Sequence, residues 1–108
     1  MTQEISMGVQ AQIAEIVQQF NETAFRYSMC RYVPRFEGAY LYLDRHDQGR
    51  VDPIVRLRWT GDMAGWECEI FRYSSERYES GESLFPESAL IDGTVEGAMQ
   101  AGLQAYPI

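Results

Sequence analysis

The stretch from Pro53 to Tyr73 constrains the fold more strongly than any other part of this chain. It contains two runs, residues 53–59 and 66–73, in which apolar and charged side chains alternate with the period of a β-strand. Between them, residues 60–65 have the sequence Thr-Gly-Asp-Met-Ala-Gly, which is typical of a turn. The stretch therefore predicts an antiparallel β-hairpin.

One register of this hairpin gives every side chain a suitable partner. The pairs are Trp59–Trp66, Leu57–Cys68 and Val55–Ile70 on one face, and Arg58–Glu67 and Arg56–Glu69 on the other. A shift by one residue would place apolar groups opposite charges, so the pattern specifies its own register. Because a lone hairpin is marginal in water, we expect other elements to cover its apolar face.

An amphipathic helix is predicted over residues 7–28, where apolar side chains recur at steps of three and four. Ser6 is the predicted N-cap and Met7 the first helical residue. The helix should fade near Ser28 and end before Pro34, since a residue that precedes proline is biased away from the α region.

A second helix is predicted over residues 94–106, capped by Asp92 or Thr94 and ended by Pro107. Two glycines cost a helix about 1 kcal/mol each, so close approach to the sheet or to the first helix should compensate. The small residues on this helix are Gly97, Ala98, Ala101, Gly102 and Ala105.

The remaining elements are one more strand and a short return strand. Residues 37–45 predict a strand that is apolar on both faces, and residues 44–52 a polar loop. Residues 77–79 predict the return strand, with Tyr73 opposite Arg77 and Phe71 opposite Glu79, because the alternative sets Arg72 against Arg77. Pro86 is predicted to open a short helical turn.

Together these elements predict a single α+β domain over residues 1–108, with the order α-β-β-β-(β)-α. We expect an antiparallel β-meander of three to four strands, with the N-terminal and the C-terminal helix packed on one face. The other face would then present the paired arginines and glutamates to water.

Charge argues against nucleic acid and anionic membranes as partners. The net charge is −7, and residues 59–96 carry two arginines against nine acidic residues. The α-β-β-β-α order resembles the double-stranded-RNA-binding domain in topology alone, since that family holds phosphates with a basic cluster at the start of its last helix. The corresponding residues, 91–96, are acidic and contain no lysine. RNA binding is therefore not predicted.

A cytoplasmic protein is predicted from the thiols and the N-terminal residues. Cys30 and Cys68 are far apart in sequence and not in a CxxC motif, so we interpret both as reduced, with a disulfide as the minority alternative. Residues 1–6 lack the basic and apolar regions of a targeting segment, and no apolar run approaches the ~18 residues of a membrane span.

Catalytic and metal chemistry have little support in this sequence. The absence of lysine excludes Schiff-base catalysis and a Walker-type phosphate loop. The single histidine, His46, belongs to no GxSxG-containing triad, and with Cys30 and Cys68 it lacks the spacing of a zinc site. Residues 44–55 lack the ligands of a calcium loop at positions three, five and twelve. We predict no catalytic residue, metal or cofactor, and treat enzymatic activity as uncertain and leaning towards none.

The residues with the strongest functional signal are those on the charged face of the hairpin. Arginine and aromatic side chains are enriched at protein interfaces. The sequence thus favours a small non-catalytic protein-interaction or adaptor domain that binds a protein partner or self-associates, for example as a homodimer. The alternative is a small-ligand-binding or enzyme domain with a pocket between the sheet and the C-terminal helix. The predicted interaction face comprises Arg56, Arg58, Glu67, Glu69, Phe71 and Tyr73.

Overall fold

The computed structural model of the protein describes residues 4–79 and 90–107. The elements are α1 (Met7–Ala24), β1 (Cys30–Glu37), β2 (Tyr40–Asp47), β3 (Arg50–Arg58), β4 (Glu67–Arg72), β5 (Arg77–Glu79) and α2 (Val95–Ala105). The strands form one five-stranded antiparallel sheet in sequential order. This confirms the predicted α+β meander with its two flanking helices.

The predicted hairpin register is confirmed in the structure of β3 and β4. Val55 lies opposite Ile70, and Arg56 lies opposite Glu69. Beyond the ladder, the rings of Trp59 and Trp66 are 4.7 Å apart between centroids. The core lies between the two helices and the face of the sheet that carries Val55, Leu57 and Ile70. Its largest fully buried side chains are Tyr32, Ile13, Leu41, Leu43, Ile54, Leu57, Ile70 and Met99.

The strand β1 is an additional strand that the sequence did not predict. It includes Pro34, which lies opposite Leu43 and cannot donate a hydrogen bond from its backbone. Because β1 is an edge strand, the missing donor can face away from the ladder at no cost to the sheet. The sheet therefore has five strands rather than three to four.

The outer edge of β1 is occupied by side chains from α1 and from the loop that follows it. The Asn21 amide donates to the Tyr32 carbonyl and accepts from the Tyr32 N–H, both at 2.9 Å. The Ser28 hydroxyl accepts from the Cys30 N–H at 3.0 Å. Pro34, further along β1, has no N–H group. The outward-facing N–H groups of β1 at Cys30, Tyr32 and Pro34 are therefore either hydrogen-bonded or absent.

The polar loop predicted over residues 44–52 is wrong except at its tip. β2 continues to Asp47 and β3 begins at Arg50, so only Gln48 and Gly49 connect them. Both have positive φ, 52° and 88°. This is the backbone conformation required in a two-residue hairpin turn whose twist matches that of the flanking strands. The segment that reads as a solvated loop is thus mostly paired strand.

A β-bulge interrupts the pairing of β2 with β3. Leu43 lies opposite Val55 and Asp44 lies opposite Pro53, which leaves Ile54 as the extra residue. Ile54 and Val55 are both buried, and both come close to Gly102 of α2. The bulge therefore gives α2 two consecutive aliphatic side chains to pack against.

The predicted register between β4 and β5 is wrong. Phe71 lies opposite Tyr78, and Arg72 lies opposite Arg77. The Phe71 and Tyr78 rings meet edge to face with centroids 5.1 Å apart, a contact that the predicted register would remove. Arg77 is largely exposed, which screens its repulsion from Arg72. The turn predicted at Pro86 lies outside the described residues.

Both helices begin at the predicted residues. The Ser6 hydroxyl caps α1 by accepting from the Val9 N–H, and Thr94 caps α2 by accepting from the Gly97 N–H. The first helix ends at Ala24 rather than near Ser28. Neither described helix has the length and apolar character needed to cross a membrane.

The small residues of α2 allow the close approach that was predicted. A Cβ atom added at Gly102 would lie 2.6 Å from the Tyr32 hydroxyl and 2.7 Å from Ile54 Cγ2. Glycine at this position therefore lets the helix backbone rest directly on the sheet, where the Tyr32 hydroxyl donates to the Met99 carbonyl at 2.9 Å.

Candidate functional site

The face of the sheet turned away from the helices carries alternating aromatic and charged side chains. We call it the open face; its residues are Arg35, Tyr40, Tyr42, Asp44, Arg56, Arg58, Glu67, Glu69, Phe71 and Tyr78. They come from all five strands, because every second residue of each strand points to the same side. Five of the six residues of the predicted interaction face belong to it.

Arg56 is at the centre of the open face. Its guanidinium donates to Glu69 at 2.9 Å from Nε and 2.5 Å from a terminal nitrogen. It also lies over two rings, 4.9 Å from the centroid of Tyr40 and 4.8 Å from that of Tyr78. The side chain is only 26% exposed, so this cation is held by charge and by aromatic faces together.

Two further arginines near Arg56 also pair with carboxylates, and one of them lies over a ring. Arg35 donates to the buried Asp44 carboxylate at 3.2 Å and lies 4.2 Å from the centroid of Tyr42. Arg58 forms an ion pair with Glu67, and both side chains are well exposed. Arg35 also pairs with Glu37 at the end of β1, so these three arginines meet four carboxylates and the open face has a small negative charge.

Partial burial on the open face changes the ionisation of Tyr78. Partial burial raises the pKa of Tyr78 to about 12, and the neighbouring Asp44 carboxylate adds to this effect. At neutral pH the hydroxyl of Tyr78 is therefore protonated and can act as a hydrogen-bond donor.

Tyr73 departs from its predicted position on the interaction face. It follows the end of β4, and its ring packs on Tyr106 at 5.2 Å as well as on Phe71 at 5.0 Å. Its hydroxyl donates to the Pro53 carbonyl at 2.9 Å. Tyr73 thus connects the open face to the end of α2 and is not in the plane of the other five residues.

The open-face residues absent from the predicted interaction face are Arg35, Tyr40, Tyr42, Asp44 and Tyr78. A signal for two of them was present, because the alternation in residues 39–43 places Tyr40 and Tyr42 on one side of their strand. Their register against Arg58 and Arg56 could not be inferred, since the chain between the strands was interpreted as a loop.

A second unusual site lies at the C-terminal end of α2, on the opposite side of the sheet. Arg45 of β2 is buried, with 6% of its surface exposed. It donates to the Tyr106 carbonyl, to the Gly102 carbonyl at 3.3 Å and to the Tyr32 hydroxyl at 3.2 Å. Carbonyl oxygens at a helix C-terminus carry partial negative charge, which favours a cation there. A solvated residue was expected at this position, so the structure corrects that interpretation.

A cavity of about 650 Å³ opens beside Arg45. Its lining includes Tyr27 from the turn after α1, Cys30 from the start of β1, and Asp47 and Asp52 from the hairpin of β2 and β3. Burial raises the pKa of the Cys30 thiol, which therefore stays protonated at neutral pH. Its position next to the end of α2 fits the pocket that the sequence suggested as an alternative site.

The described residues offer no obvious place for a metal ion. Within residues 4–79 and 90–107, no three histidine, cysteine, aspartate or glutamate side chains lie close enough together to hold one. Cys30 and Cys68 are both free thiols, and burial raises the pKa of Cys68 to about 12.

Comparison with known proteins adds no further constraint. No protein-family model, no curated protein and no solved structure matches this chain.

Proposed function

We propose that this chain is a non-catalytic protein-interaction domain that self-associates through its open face. The observation that supports the proposal is the network of arginines and aromatic rings centred on Arg56, on the side of the sheet opposite both helices. Arginine and tyrosine are the residue types that carry most binding energy at protein interfaces. The carboxylates of this network are ion-paired, which leaves them poorly suited to acid–base catalysis.

The charge of the open face is compatible with a second copy of the chain as the partner. The net charge of each copy is −7, so two copies repel each other at long range. At the open face this repulsion is reduced, because its carboxylates are paired with arginines. In a two-fold dimer, Arg58 of one copy can pair with Glu67 of the other in addition to its own.

The same charge distribution disfavours nucleic acid and membrane surfaces as partners, since both require excess positive charge. A cytoplasmic location is proposed with it. Two free cysteines support that location, because thiols persist where the environment is reducing.

The test is the mass of the protein in solution, measured by sedimentation equilibrium over a range of concentrations. We expect a dimer for the unmodified chain and a dissociation constant at least tenfold higher for Arg58→Glu, a change of about 1.4 kcal/mol. The matched control is Arg26→Glu, which makes the same change in charge at an exposed position after α1. It should leave the dissociation constant unchanged.

A charge exchange sharpens this experiment. The double variant Arg58→Glu with Glu67→Arg restores the ion pair within each copy and the complementarity between copies, so it should recover much of the association. A single-chain mass at all concentrations up to about 1 mM, which means binding weaker than about 4 kcal/mol, would contradict the proposal.

A further inference from the structure

The cavity beside Arg45 has the size and composition of a small-molecule site. Its volume of about 650 Å³ is within the roughly 300–1,000 Å³ that such sites occupy. Three tyrosines, Tyr27, Tyr73 and Tyr106, contribute to the lining and offer aromatic surface to a ligand. Tyr27 is 93% exposed and stands at the mouth, where it has free surface for a contact.

Arg45 supplies a buried positive charge to this cavity. Its hydrogen-bond partners among the described residues are neutral oxygens, two carbonyls and one hydroxyl. Within the same residues it forms no ion pair, and its buried Nε has no hydrogen-bond partner. Burying an arginine without a carboxylate is costly, and the helix terminus offsets only part of this cost. A bound anion that reaches a terminal nitrogen of the guanidinium would supply the missing charge, while Nε itself is too deeply buried to contact a ligand.

The other charges in the lining limit the kind of anion. Arg50 is paired with Asp52 at 2.9 Å and is largely exposed, so its charge is already partly compensated and screened by water. Asp47 also lines the cavity and would repel a doubly charged group such as a phosphate. A single carboxylate is the anion that this set of charges accommodates best. A planar carboxylate also matches the donor geometry of a guanidinium.

From these observations we propose that the cavity binds a small molecule composed of one carboxylate and an aromatic body. The carboxylate pairs with Arg45, and the aromatic body packs on Tyr27, Tyr73 and Tyr106. This site is on the helix side of the sheet and is independent of the self-association proposed for the open face.

Phenylacetate is a suitable probe, and phenylacetamide is its matched control without the charge. Titration of the full chain is followed by the arginine Nε–H signals in nitrogen–proton correlation spectra. We expect a saturable shift of the Arg45 signal and binding of phenylacetate at least tenfold tighter than that of phenylacetamide. Equal binding of the two compounds, or shifts confined to exposed arginines such as Arg50, would overturn the proposal. Inorganic phosphate should bind more weakly than phenylacetate, and the reverse order would also overturn it.

Variants locate the site. Arg45→Gln should abolish the preference for phenylacetate over phenylacetamide. Because this change can also unfold the chain, Tyr27→Ala provides a second test at an exposed residue, and we expect it to raise the dissociation constant several-fold. Its control is Tyr40→Ala on the open face, which should leave phenylacetate binding unchanged. If Tyr27→Ala has no effect while the Arg45 signal stays unshifted, the assignment of the cavity is wrong.

Discussion

Arg45 in β2 and Arg56 in β3 belong to neighbouring strands, yet the sheet holds them in different ways. Arg56 is on the open face, where Glu69 and two tyrosine rings surround it. Arg45 is on the helix side, where backbone carbonyls at the end of α2 and the Tyr32 hydroxyl receive its hydrogen bonds. The first arrangement depends on a charge partner that comes from the next strand, and the second on a helix that comes much later in the chain.

This contrast suggests that an arginine can serve two purposes in one small sheet. On the open face, the charges of an exposed ion pair such as Arg58–Glu67 can be exchanged between the two positions. At Arg56, the aromatic rings also help to hold the guanidinium. On the helix side, the guanidinium fastens the end of α2 to the sheet, so its loss should loosen a whole element. The same substitution at different arginines should therefore have graded effects.

The largest effect is expected for Arg45→Met, which keeps the length of the side chain and removes its donors. The Gly102 and Tyr106 carbonyls would lose their donor at a cost of about 1–3 kcal/mol each, and removal of the buried charge would offset part of this cost. We therefore expect a net loss of about 3 kcal/mol in the free energy of unfolding. Urea denaturation measures it. Arg45→Lys, which retains a cation near the helix end, should lose clearly less. A loss below about 1 kcal/mol for Arg45→Met would show that the guanidinium does not fasten α2.

The next largest effect on stability is expected at alkaline pH, where tyrosines on the two sides of the sheet, Tyr32 and Tyr78, can be compared. Burial raises the pKa of Tyr32 to about 12, although Arg45 opposes the shift. Between pH 10 and 12 the unfolded chain therefore releases a proton that the folded chain retains, so stability falls as the pH rises. For Tyr32 the loss should approach about 2 kcal/mol.

Urea denaturation at pH 9 to 12 tests this prediction. Tyr32→Phe should lower stability at every pH, since it removes the hydroxyl contacts, but should flatten the decline above pH 10. Tyr78→Phe should flatten it less, because Tyr78 is more exposed and water moderates the effect of its raised pKa. Equal flattening by the two variants would contradict the distinction between the two faces.

An intermediate effect is expected for Arg56→Met. It removes a half-buried ion pair and two contacts with aromatic rings, and we expect a loss of about 1–2 kcal/mol in the free energy of unfolding. A double-mutant cycle with Glu69→Gln separates the ion pair from the ring contacts. Coupling close to zero would assign the whole effect to the rings.

The smallest effect is expected for Arg58→Met. Arg58 and Glu67 are both well exposed, and exposed ion pairs contribute little to stability. We expect a change of at most about 0.5 kcal/mol in the same assay. A loss as large as that of Arg56→Met would show that exposure does not govern how these arginines act.

The parts of the fold that could be predicted from the sequence are those with local and mutually consistent signals. In the hairpin of β3 and β4, the partners of Arg56 and Leu57 follow from alternation within about twenty residues. Ser6 was identified as a helix cap, and Thr94 as one of two candidates with Asp92, because cap preferences are local too. Most of the open face follows from the same alternation.

The parts that could not be predicted depend on contacts between distant segments. Arg45 is in a run of polar residues that resembles a solvated loop, and its burial results from the end of α2, 61 residues later. Strand β1 was missed because Pro34 is a poor strand residue except at an edge, and edge position is a property of the assembled sheet. Tyr73 does not lie on the predicted face because its ring packs on Tyr106, a residue that is distant in the sequence.

The amide of Asn21 occupies the position that another strand would take beside β1. A second chain that approached this edge could not pair with Tyr32, whose backbone N–H and carbonyl are already hydrogen-bonded. At Pro34 there is no backbone N–H to donate a hydrogen bond. Sheets with unpaired edge strands can add further chains without limit and form fibrils. An interface on the face of a sheet, by contrast, is fully occupied when one partner has bound. Addition of a further strand at this edge is therefore obstructed at three successive outward positions of β1, by Ser28 at Cys30, by Asn21 at Tyr32 and by the missing N–H of Pro34.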